Sequence, residues 1–279
     1  MIDDRSSSPS QTSPASGSGK RSRRMLAVLE LLSEQGAVSL QDLVTSLGVS
    51  AATARRDLAD LEQQGLLTRT HGGARIAVPT AEIPVRLREG RSQAVKQRIG
   101  RAAAALLPDG PLAVAIGGGT TAATVARSLV FRNGLTIVTN SLTTAGEIGA
   151  RPNLRVVMTG GTIRPHSFEL VGVLAENAFG AMNVGAAFVG MDGVSAAGGA
   201  TTHDEIEART NAAMLRNAQR TIVVADSSKI GRTTLAPVVG MQAVHDLVTD
   251  DGADRAELGR IADLGVRVHV VASQTPEPR

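Results

Sequence analysis

The 279-residue sequence predicts an α/β domain with a mostly parallel sheet, preceded by a smaller helical domain that ends in a hairpin. Between residues 22 and 64, apolar residues recur at helical spacing. From residue 93 onward, short apolar strands alternate with helical segments, the order typical of a parallel sheet. Residues 77–92, with two prolines and several charges, are interpreted as a linker between the two domains.

Composition limits the possible chemistry. Apolar residues make up 42% of the chain, enough for a sizeable core, but there is no Cys, Trp or Tyr and only four Phe. Without Cys, disulfides and Cys-based metal sites are excluded, and a cytoplasmic location is expected. Residues 1–20 are rich in Ser, Pro and Gly and lack the apolar stretch of a secretory signal. We therefore expect a disordered tail there, and a second tail at 273–279.

Basic residues are concentrated in the N-terminal third. Residues 1–101 hold 15 of the 29 basic and 10 of the 26 acidic side chains, whereas residues 102–279 hold 14 and 16. Although the formal net charge is only +3, its location favours a nucleic-acid partner for the N-terminal region. The scarcity of aromatic residues favours reading of duplex grooves over the base stacking that binds single strands or RNA.

Three helices and a hairpin are predicted before the linker. The first helix spans about 23–33, the second follows a capping box at Ser39 and ends at Gly48, and the third reaches about Gln64. Two helices joined by a tight glycine turn form a helix-turn-helix, and the hairpin over 66–76 would be its wing.

The outer face of the third helix and the wing supply the candidate DNA contacts. An arginine can bond guanine bidentately in the major groove, small residues allow close approach, and basic wing residues would lie near phosphates. The predicted DNA-binding residues are Ser50, Ala52, Thr53, Arg55, Arg56, Arg69, His71 and Arg75. For any single arginine, a solvated position on a small helical bundle is the alternative interpretation.

This N-terminal segment resembles a known family. The residues that carry the resemblance lie between Arg24 and Leu58, above all the run Ser50-Ala51-Ala52-Thr53-Ala54-Arg55-Arg56-Asp57-Leu58, followed by His71-Gly72-Gly73-Ala74. They are similar to the signature of DeoR-family bacterial transcriptional regulators. The resemblance implies a winged helix-turn-helix domain, here residues 21–76, that binds double-stranded operator DNA. Such proteins generally bind near-palindromic sites, so a homo-oligomer, dimeric or larger, is expected.

Residues 93–272 form the predicted α/β domain. Strands are predicted near 112–116, 136–139, 155–158, 186–189, 221–225, 246–249 and 267–271. Helices are predicted near 94–107, 120–130, 142–150, 170–179, 203–218 and 254–264. Helices between strands would cover both faces of the sheet, and ligands of such sheets bind beyond the carboxyl ends of the strands.

The loop after the first of these strands suits a phosphate. Its sequence, Gly117-Gly118-Gly119-Thr120-Thr121, opens a helix. Glycine N–H groups can approach an anion closely, the helix N-terminus adds partial positive charge, and the hydroxyls add donors. Gly117, Gly119 and Ala122 also fit a dinucleotide fingerprint, but the next strand lacks the acidic residue that such a site needs. A tight turn without a ligand is a third interpretation.

Four further strand ends carry polar or glycine-rich loops, at 139–141, 159–164, 190–193 and 226–229. Together they supply donors, a carboxylate and an ammonium group, a mixture that suits a sugar phosphate whose hydroxyls contact Asn140, Asp192 and Lys229. Each has an ordinary alternative: Asp192 and Asp226 are common turn residues, and Asn140 is a helix-capping type. No cofactor is expected. No metal site is expected either, because the five histidines are scattered without ligand spacing.

Residues of about 93–272 also resemble the effector domain of DeoR-type regulators, which is similar to the ribose-5-phosphate isomerase fold. In that family a Gly-Thr-Thr loop holds the effector phosphate, and other motifs line the site. With the neighbouring Gly118, the implied effector-binding residues are Gly118, Gly119, Thr120, Thr121, Asn140, Ser141, Gly160, Gly161, Arg164, Asp192 and Lys229. This chain has Gly117 where many members have Asp.

The sequence therefore predicts a DNA-binding regulator. The resemblance to the DeoR family implies a repressor of a sugar-catabolism operon that a phosphorylated sugar or related metabolite relieves. The alternative is a sugar-phosphate isomerase-like enzyme with an appended DNA-binding domain, since Asp192 and Lys229 are of the right type to handle substrate. No convincing general-base pair, nucleophile elbow or cysteine nucleophile supports that alternative. An enzyme is not expected.

Overall fold

The structure is a computed structural model and describes residues 15–76, 82–88 and 92–273. The chain divides into two compact units, residues 1–91 and residues 92–279. None of the helices in the described ranges has the length and apolar character needed to cross a bilayer.

The first unit combines helices with a small antiparallel sheet. Its elements are α1 (Ala15–Gln35), β1 (Ala37–Ser39), α2 (Leu40–Leu47), α3 (Ala51–Gln63), β2 (Leu67–Thr70), β3 (Gly73–Ile76) and α4 (Val85–Arg88). The sheet has the order β1-β3-β2, and the hairpin of β2 and β3 is the wing. The predicted winged helix-turn-helix is confirmed.

Short sequence signals position α2 and α3. In the capping box, the Asp42 N–H donates to Ser39 Oγ at 3.0 Å and the Ser39 N–H donates to Asp42 Oδ2 at 3.3 Å. Gly48 ends α2 with φ of +62°, a left-handed conformation that favours glycine. Ser50 then caps α3 by accepting a hydrogen bond from the Thr53 N–H at 3.2 Å. These signals fix the turn between the two helices.

One apolar cluster stabilises the first unit. It consists of Met25, Val28, Leu29, Leu32, Val38, Leu43, Ala54, Leu58, Leu61, Leu66, Leu67, Ala74 and Leu87. The wing approaches β1 so closely that a Cβ at Gly73 would lie 2.0 Å from the carbonyl oxygen of Val38. A glycine is therefore required where β3 pairs with β1.

The N-terminal tail is shorter than predicted. The prediction placed a disordered tail over 1–20, but α1 already begins at Ala15. Once the apolar residues of α1 have formed a helix against the core, each added residue contributes a further hydrogen bond at little entropic cost. The helix can therefore extend into a Ser- and Gly-containing segment. Residues 1–14 of the predicted tail lie outside the described residues.

The predicted linker at 77–92 also differs in part from the structure. Its described section contains α4, in which Val85 and Leu87 are buried. Leu87 joins the apolar cluster of the first unit, and α4 packs against α1. The linker was predicted from its prolines and charges, and the two apolar residues that become buried, Val85 and Leu87, are too few to show a helical pattern. The remaining linker positions, 77–81 and 89–91, lie outside the described residues, as do 274–279 of the predicted C-terminal tail.

The second unit is built on a seven-stranded sheet in which every neighbouring pair is parallel. The helices are α5 (Gln93–Ala104), α6 (Thr120–Leu129), α7 (Leu142–Ile148), α8 (Val173–Gly180), α9 (Glu205–Arg216) and α10 (Arg255–Asp263). The strands of this sheet are β4 (Leu112–Ile116), β5 (Leu135–Thr139), β6 (Leu154–Met158), β9 (Ala186–Gly190), β12 (Thr221–Val224), β14 (Asp246–Asp250) and β15 (Arg267–Val271). All seven match predicted strands.

Alternate residues of the central strands pack on opposite faces. Val114 and Ile116 join one apolar cluster with residues of α5, α6 and α7, whereas Ala115 joins a second cluster with residues of α8, α9 and α10. Phe188 of β9 is fully buried in the first cluster. The predicted sheet covered on both faces is thus confirmed.

The strand order places a switch point between β4 and β9. The order is β15-β14-β12-β9-β4-β5-β6, so the chain leaves β4 toward β5 and β6, and later returns to the other side of β4 as β9. Where the winding direction reverses, the loops at the carboxyl ends of two adjacent strands diverge and leave a crevice. We call the space at the carboxyl ends of β4 and β9 the crevice.

Five short strands were not predicted. They are β7 (Thr162–Arg164), β8 (Glu169–Val171), β10 (Gly193–Ser195), β11 (Gly199–Thr202) and β13 (Ala236–Val239). The first two form a hairpin and the other three an antiparallel sheet. Strands of three or four residues, several beginning with glycine, are too short to show an alternating pattern. The helix predicted over 170–179 begins only at Val173, because the residues before it pair as β8.

Candidate functional site

The outer face of α3 is exposed as predicted. Ala52, Arg55 and Arg56 are exposed, whereas Ala54 and Leu58 are buried on the opposite face. The predicted contacts Ser50 and Thr53 form the cap that starts α3, with their hydroxyl oxygens 2.9 Å apart. Their side chains therefore position the N-terminus of the helix.

Each acidic residue of α3 is paired with an arginine from another element. Asp57, only 1% exposed, receives a bidentate pair from Arg24 of α1, with Arg24 Nη2 donating to Asp57 Oδ1 at 3.0 Å. This hydrogen-bonded pairing raises the pKa of Arg24. Asp60 pairs with Arg21 of α1. The sequence prediction did not identify Asp57 as a buried carboxylate.

The third acidic residue of α3 connects the helix to the wing. Glu62 Oε1 accepts a hydrogen bond from the Arg69 N–H at 3.0 Å, and Arg69 Nη1 lies 3.8 Å from Glu62 Oε2. Arg69, predicted as a phosphate contact, is thus engaged with α3, although its side chain is 45% exposed. His71 and Arg75 of the wing region are exposed.

The result is uneven charge compensation along α3. Within the described ranges, Arg55 and Arg56 form no ion pair with a carboxylate, whereas all three acidic residues of the helix do. The N-terminal half of α3 therefore presents uncompensated positive charge. In a helix-turn-helix this half of the second helix contacts base edges.

In the second unit, the predicted glycine loop lies at the switch point. It joins β4 to α6, and Gly119 has φ of +89°. The Gly117 N–H donates to the carbonyl oxygen of Phe188 in β9 at 2.9 Å, which ties the loop to the neighbouring strand. Among the described residues, none accepts a hydrogen bond from the N–H groups of Gly119, Thr120 or Thr121. These groups form the positive end of α6.

A buried carboxylate lies against this loop. Glu169, at the start of β8 and 2% exposed, accepts a hydrogen bond from the Gly118 N–H to its Oε1 at 2.7 Å. A Cβ at Gly118 would lie 2.3 Å from the carboxyl carbon of Glu169. Glu169 was not among the predicted site residues. Its position as the single acidic residue in the apolar run Phe168-Glu169-Leu170-Val171 could have indicated a buried carboxylate.

The predicted residue Arg164 connects the β7–β8 hairpin to α9. Its Nη1 lies 3.0 Å from Glu207 Oε2 and its Nε lies 3.3 Å from Asp204 Oδ2. Asp204 also caps α9, accepting from the N–H groups of Ile206 and Glu207 at 3.0 and 2.8 Å. Arg164 is therefore already paired with two carboxylates.

Asp192 and Lys229 are brought together as predicted. Lys229 Nζ donates to Asp192 Oδ1 at 3.2 Å, and His203 Nδ1 lies 2.9 Å from Asp192 Oδ2. Thr202 Oγ1 is 3.2 Å from the same Oδ2 and 2.7 Å from Glu207 Oε1. Thr202, His203 and Glu207 were not predicted. Within the described residues, no group of three or more histidines and acids is arranged to hold a metal ion.

The pKa of Glu207 is raised well above its ordinary value, first by burial and then by the negative charge of Glu169. The hydrogen bonds around Thr202 agree with a raised pKa of Glu207. The single hydroxyl hydrogen of Thr202 cannot serve both Glu207 and Asp192. A protonated Glu207 that donates to Thr202, which in turn donates to Asp192, satisfies both contacts.

Asn140 and Ser141 are fully buried beside β8. The Leu170 N–H donates to the carbonyl oxygen of Asn140 at 2.7 Å, and Asn140 Nδ2 donates back to the carbonyl oxygen of Leu170 at 3.2 Å. Ser141 caps α7 through the Thr144 N–H at 3.2 Å. Gly160 and Gly161 have φ of +71° and +130° and lead into the hairpin.

Two buried amide oxygens at the crevice have no hydrogen-bond partner among the residues that the structure describes. They are Asn140 Oδ1 and Asn211 Oδ1 of α9. Asn211 is 2% exposed, and its Oδ1 lies 3.6 Å from the position of a Cβ at Gly117. Burial of an unpaired acceptor is unfavourable, so such atoms point to a ligand donor. Asn211 was not predicted, because its neighbours in the sequence carry no recognisable motif.

Comparison with known proteins agrees with this arrangement. Residues 24–80 match the DeoR-like helix-turn-helix domain, and residues 91–251 match the DeoR C terminal sensor domain. The chain belongs to the DeoR family. The DeoR-family resemblance inferred from the sequence is therefore confirmed, and the chain is a helix-turn-helix transcriptional regulator with a sensor domain.

Several curated DeoR-family relatives are similar over most of this chain. It is 31% identical to the glycerol-3-phosphate regulon repressor of Escherichia coli strain K12 over 231 aligned residues. The alignment covers 83% of this chain and 91% of the relative. It is 34% identical over 253 residues to the transcriptional regulator GlpR of Haloferax volcanii, with coverages of 89% and 96%. The relatives are transcription regulators, so the isomerase-like alternative loses its support.

Part of this DeoR-family chain superposes on the solved structure of a ribose 5-phosphate isomerase from Methanocaldococcus jannaschii. The match has a TM-score of 0.35 and 18% identity, and covers 52% of this chain and 55% of the isomerase. A similarity this low carries no argument about activity.

Neutralising Asp57 should destabilise the DNA-binding unit of this DeoR-family chain. Asp57→Asn leaves the Arg24 guanidinium without its buried partner, and we expect a loss of about 3 kcal/mol in the free energy of unfolding. Urea unfolding followed by circular dichroism measures this. The control is Glu62→Gln, which breaks the exposed pair with Arg69 and should change stability by less than about 1 kcal/mol. Equal losses of stability in the two variants would contradict a stabilising role for the buried Arg24–Asp57 pair.

Glu207→Gln should alter the pH dependence of stability. Because the folded pKa of Glu207 is raised, the unfolded chain loses this proton above about pH 4.3 while the folded chain keeps it. The free energy of unfolding of the native chain should therefore fall, relative to the Gln variant, as pH rises from 5 to 8. Urea unfolding at both pH values measures the difference, with exposed Glu205→Gln as control. Parallel pH profiles for native chain and Glu207→Gln would refute a raised pKa.

Proposed function

We propose that this DeoR-family chain represses a sugar-catabolism operon and is released from its operator by a phosphorylated sugar or related metabolite. The first unit would bind the operator DNA and the second unit the effector. The observation that carries the proposal is the Gly-Gly-Gly-Thr-Thr loop at the switch point, with unpaired N–H groups at Gly119, Thr120 and Thr121.

Charge and shape support the DNA-binding half of the proposal. Arg55 and Arg56 lie on the exposed N-terminal half of α3 without carboxylate partners among the described residues. Ala52 beside them leaves room for close approach to a base edge. Arg75 and His71 extend the basic surface onto the wing, where phosphate contacts would set the register. Near-palindromic operators would be read by a homo-oligomer, dimeric or larger.

The crevice offers two kinds of contact that suit a sugar phosphate. The N–H groups of Gly119, Thr120 and Thr121, with the two threonine hydroxyls, form a donor cluster for the phosphate. Asn140 Oδ1 and Asn211 Oδ1, both buried and without partners, would accept hydrogen bonds from sugar hydroxyls. We expect the remaining predicted residues to complete the site, namely Ser141, Gly160, Gly161, Arg164, Asp192 and Lys229.

Regulation requires only a modest coupling between the two binding events. An effector that changes operator affinity roughly 5- to 150-fold supplies about 1–3 kcal/mol of coupling free energy. By reciprocity, operator DNA should weaken effector binding by the same factor. Two DeoR-family relatives are named as regulators, one of them a glycerol-3-phosphate regulon repressor, which supports a phosphorylated effector of related chemistry.

Removal of either uncompensated arginine should weaken operator binding. We expect Arg55→Ala and Arg56→Ala each to cost about 1–3 kcal/mol of base discrimination, roughly 5- to 150-fold in dissociation constant. Fluorescence anisotropy measures this on a duplex selected from a random pool by the native protein. Arg151→Ala removes an exposed arginine of the second unit and is the matched control. If both α3 variants bound the selected duplex as tightly as the native protein, this face of α3 would be excluded as the surface that contacts the bases.

Phosphorylated sugars should stabilise the native chain against heat, and Thr120→Val should reduce that effect. Loss of one hydrogen bond to a charged phosphate costs about 1.5–3 kcal/mol, roughly 10- to 150-fold in affinity. A thermal-shift screen with a panel of sugar phosphates identifies a binder. Titration of that binder into the native chain and the variants then gives the ratio of their dissociation constants. Thr143→Val, on α7, is the control. Stabilisation by a dinucleotide and by no phosphoester would overturn the phosphosugar assignment.

A further inference from the structure

Glu169 occupies the loop that the proposed function assigns to the effector phosphate. Its carboxylate accepts the Gly118 N–H at 2.7 Å and is almost completely buried. A Cβ at Gly118 would lie 2.3 Å from both the carboxyl carbon and Oε1 of Glu169, so a larger residue fits there only if Glu169 moves away. The glycine at this position therefore accommodates an anionic group of the protein itself.

We propose that Glu169 is an internal anion that closes the glycine loop in the effector-free sensor, and that the anionic group of the effector displaces it. This inference rests on the proposed function, because it concerns the same loop. A carboxylate and a phosphate in contact with one another would repel strongly in a site shielded from water. On this proposal the phosphate at the N–H groups of Gly119, Thr120 and Thr121 drives the neighbouring carboxylate of Glu169 away from Gly118.

The surroundings of Glu169 fit an exchange of one anion for another. The negative charge of Glu169 favours the protonated form of Glu207, since it is one of the causes that raise the pKa of Glu207. A phosphate in place of the carboxylate keeps a negative charge near Glu207. One cause of the raised pKa of Glu207, a neighbouring negative charge, is therefore retained when the effector enters.

Displacement of Glu169 would act on the hairpin that carries it. Glu169 begins β8, and the hairpin partner β7 ends at Arg164, which pairs with Glu207 and Asp204 at the start of α9. Leu170, next to Glu169, is held by Asn140 through two hydrogen bonds. Movement of Glu169 out of the loop thus acts on a hairpin bound to α9 on one side and to the end of β5 on the other.

The test is the affinity of the full-length chain for inorganic phosphate. Glu169→Ala removes the internal anion and frees the Gly118 N–H, so we expect phosphate to bind this variant at least tenfold more tightly than the native chain. Formate, the nearest replacement for the lost carboxylate, should also raise its melting temperature. Titration calorimetry and thermal unfolding at constant ionic strength, with chloride as reference, measure both effects. Glu147→Ala, which removes an exposed carboxylate of α7 paired with Arg127, should bind phosphate like the native chain.

Glu169→Gln decides the question if the Ala variant fails to fold. It keeps an oxygen acceptor for the Gly118 N–H but removes the charge that repels phosphate. We expect its phosphate affinity to lie above that of the native chain. Equal phosphate affinity of the native chain and the folded Glu169 variants would overturn the inference.

The two proposals fail in different ways. If sugar phosphates stabilise the native chain and Glu169 variants show no gain in phosphate affinity, the internal anion is refuted while the effector assignment stands. If no sugar phosphate binds any form of the chain but phosphate and formate bind tightly to Glu169→Ala, the loop is an anion site closed by Glu169 and the phosphosugar assignment fails.

Discussion

The parallel pairing of β4 with β9 is the constraint on which the second unit depends. Val114, Ala115 and Ile116 pair with Ala186, Ala187 and Phe188, and this single ladder reverses the direction in which the sheet is wound. Because the two strands are neighbours, the glycine loop after β4 and Asp192 after β9 emerge at the same edge. Gly117 is bonded directly to the carbonyl of Phe188. The crevice is thus a result of topology, and side chains from β8 and α9 complete it.

Charge is arranged in opposite ways in the two units. In α3, acidic residues are each paired with an arginine from outside the helix, and the uncompensated groups are the two arginines at its exposed end. In the crevice, acids outnumber bases: Glu169, Asp192, Asp204 and Glu207 are arranged around Arg164 and Lys229. A surface left positive suits a polyanion such as DNA. A crevice rich in acceptors suits a ligand with several hydroxyl donors, with the phosphate assigned to backbone amides.

Sequence reasoning was strongest where a signal is local. The seven strands of the main sheet, the capping box at Ser39 and the start of α6 after Gly119 were all predicted, because hydrophobic runs, caps and glycines act over a few residues. It also brought Asp192 and Lys229 together, since the carboxyl ends of parallel strands share an edge. The expected binding roles of these residues stay predictions.

The missed residues depend on contacts far apart in the chain. Asp57 is recognisable as a buried carboxylate only once Arg24 is placed against it, and Glu169 only once its strand is packed beside the loop at Gly118. Asn211 lies mid-helix without any motif. Such pairings arise from tertiary packing, which periodicity and composition do not encode.

The strand ladders also determine the order in which the two units can form during synthesis. In the first unit the most distant pairing joins Ala37 to Arg75, so its sheet can close as soon as the wing has left the ribosome. In the second unit, β4 can pair early with β5 but cannot acquire its other neighbour until β9 has been made, and the sheet is complete only with β15. Domains generally fold as units during translation, and parallel sheets with distant pairings fold slowly. A nascent chain can therefore complete its helix-turn-helix unit before its sensor unit.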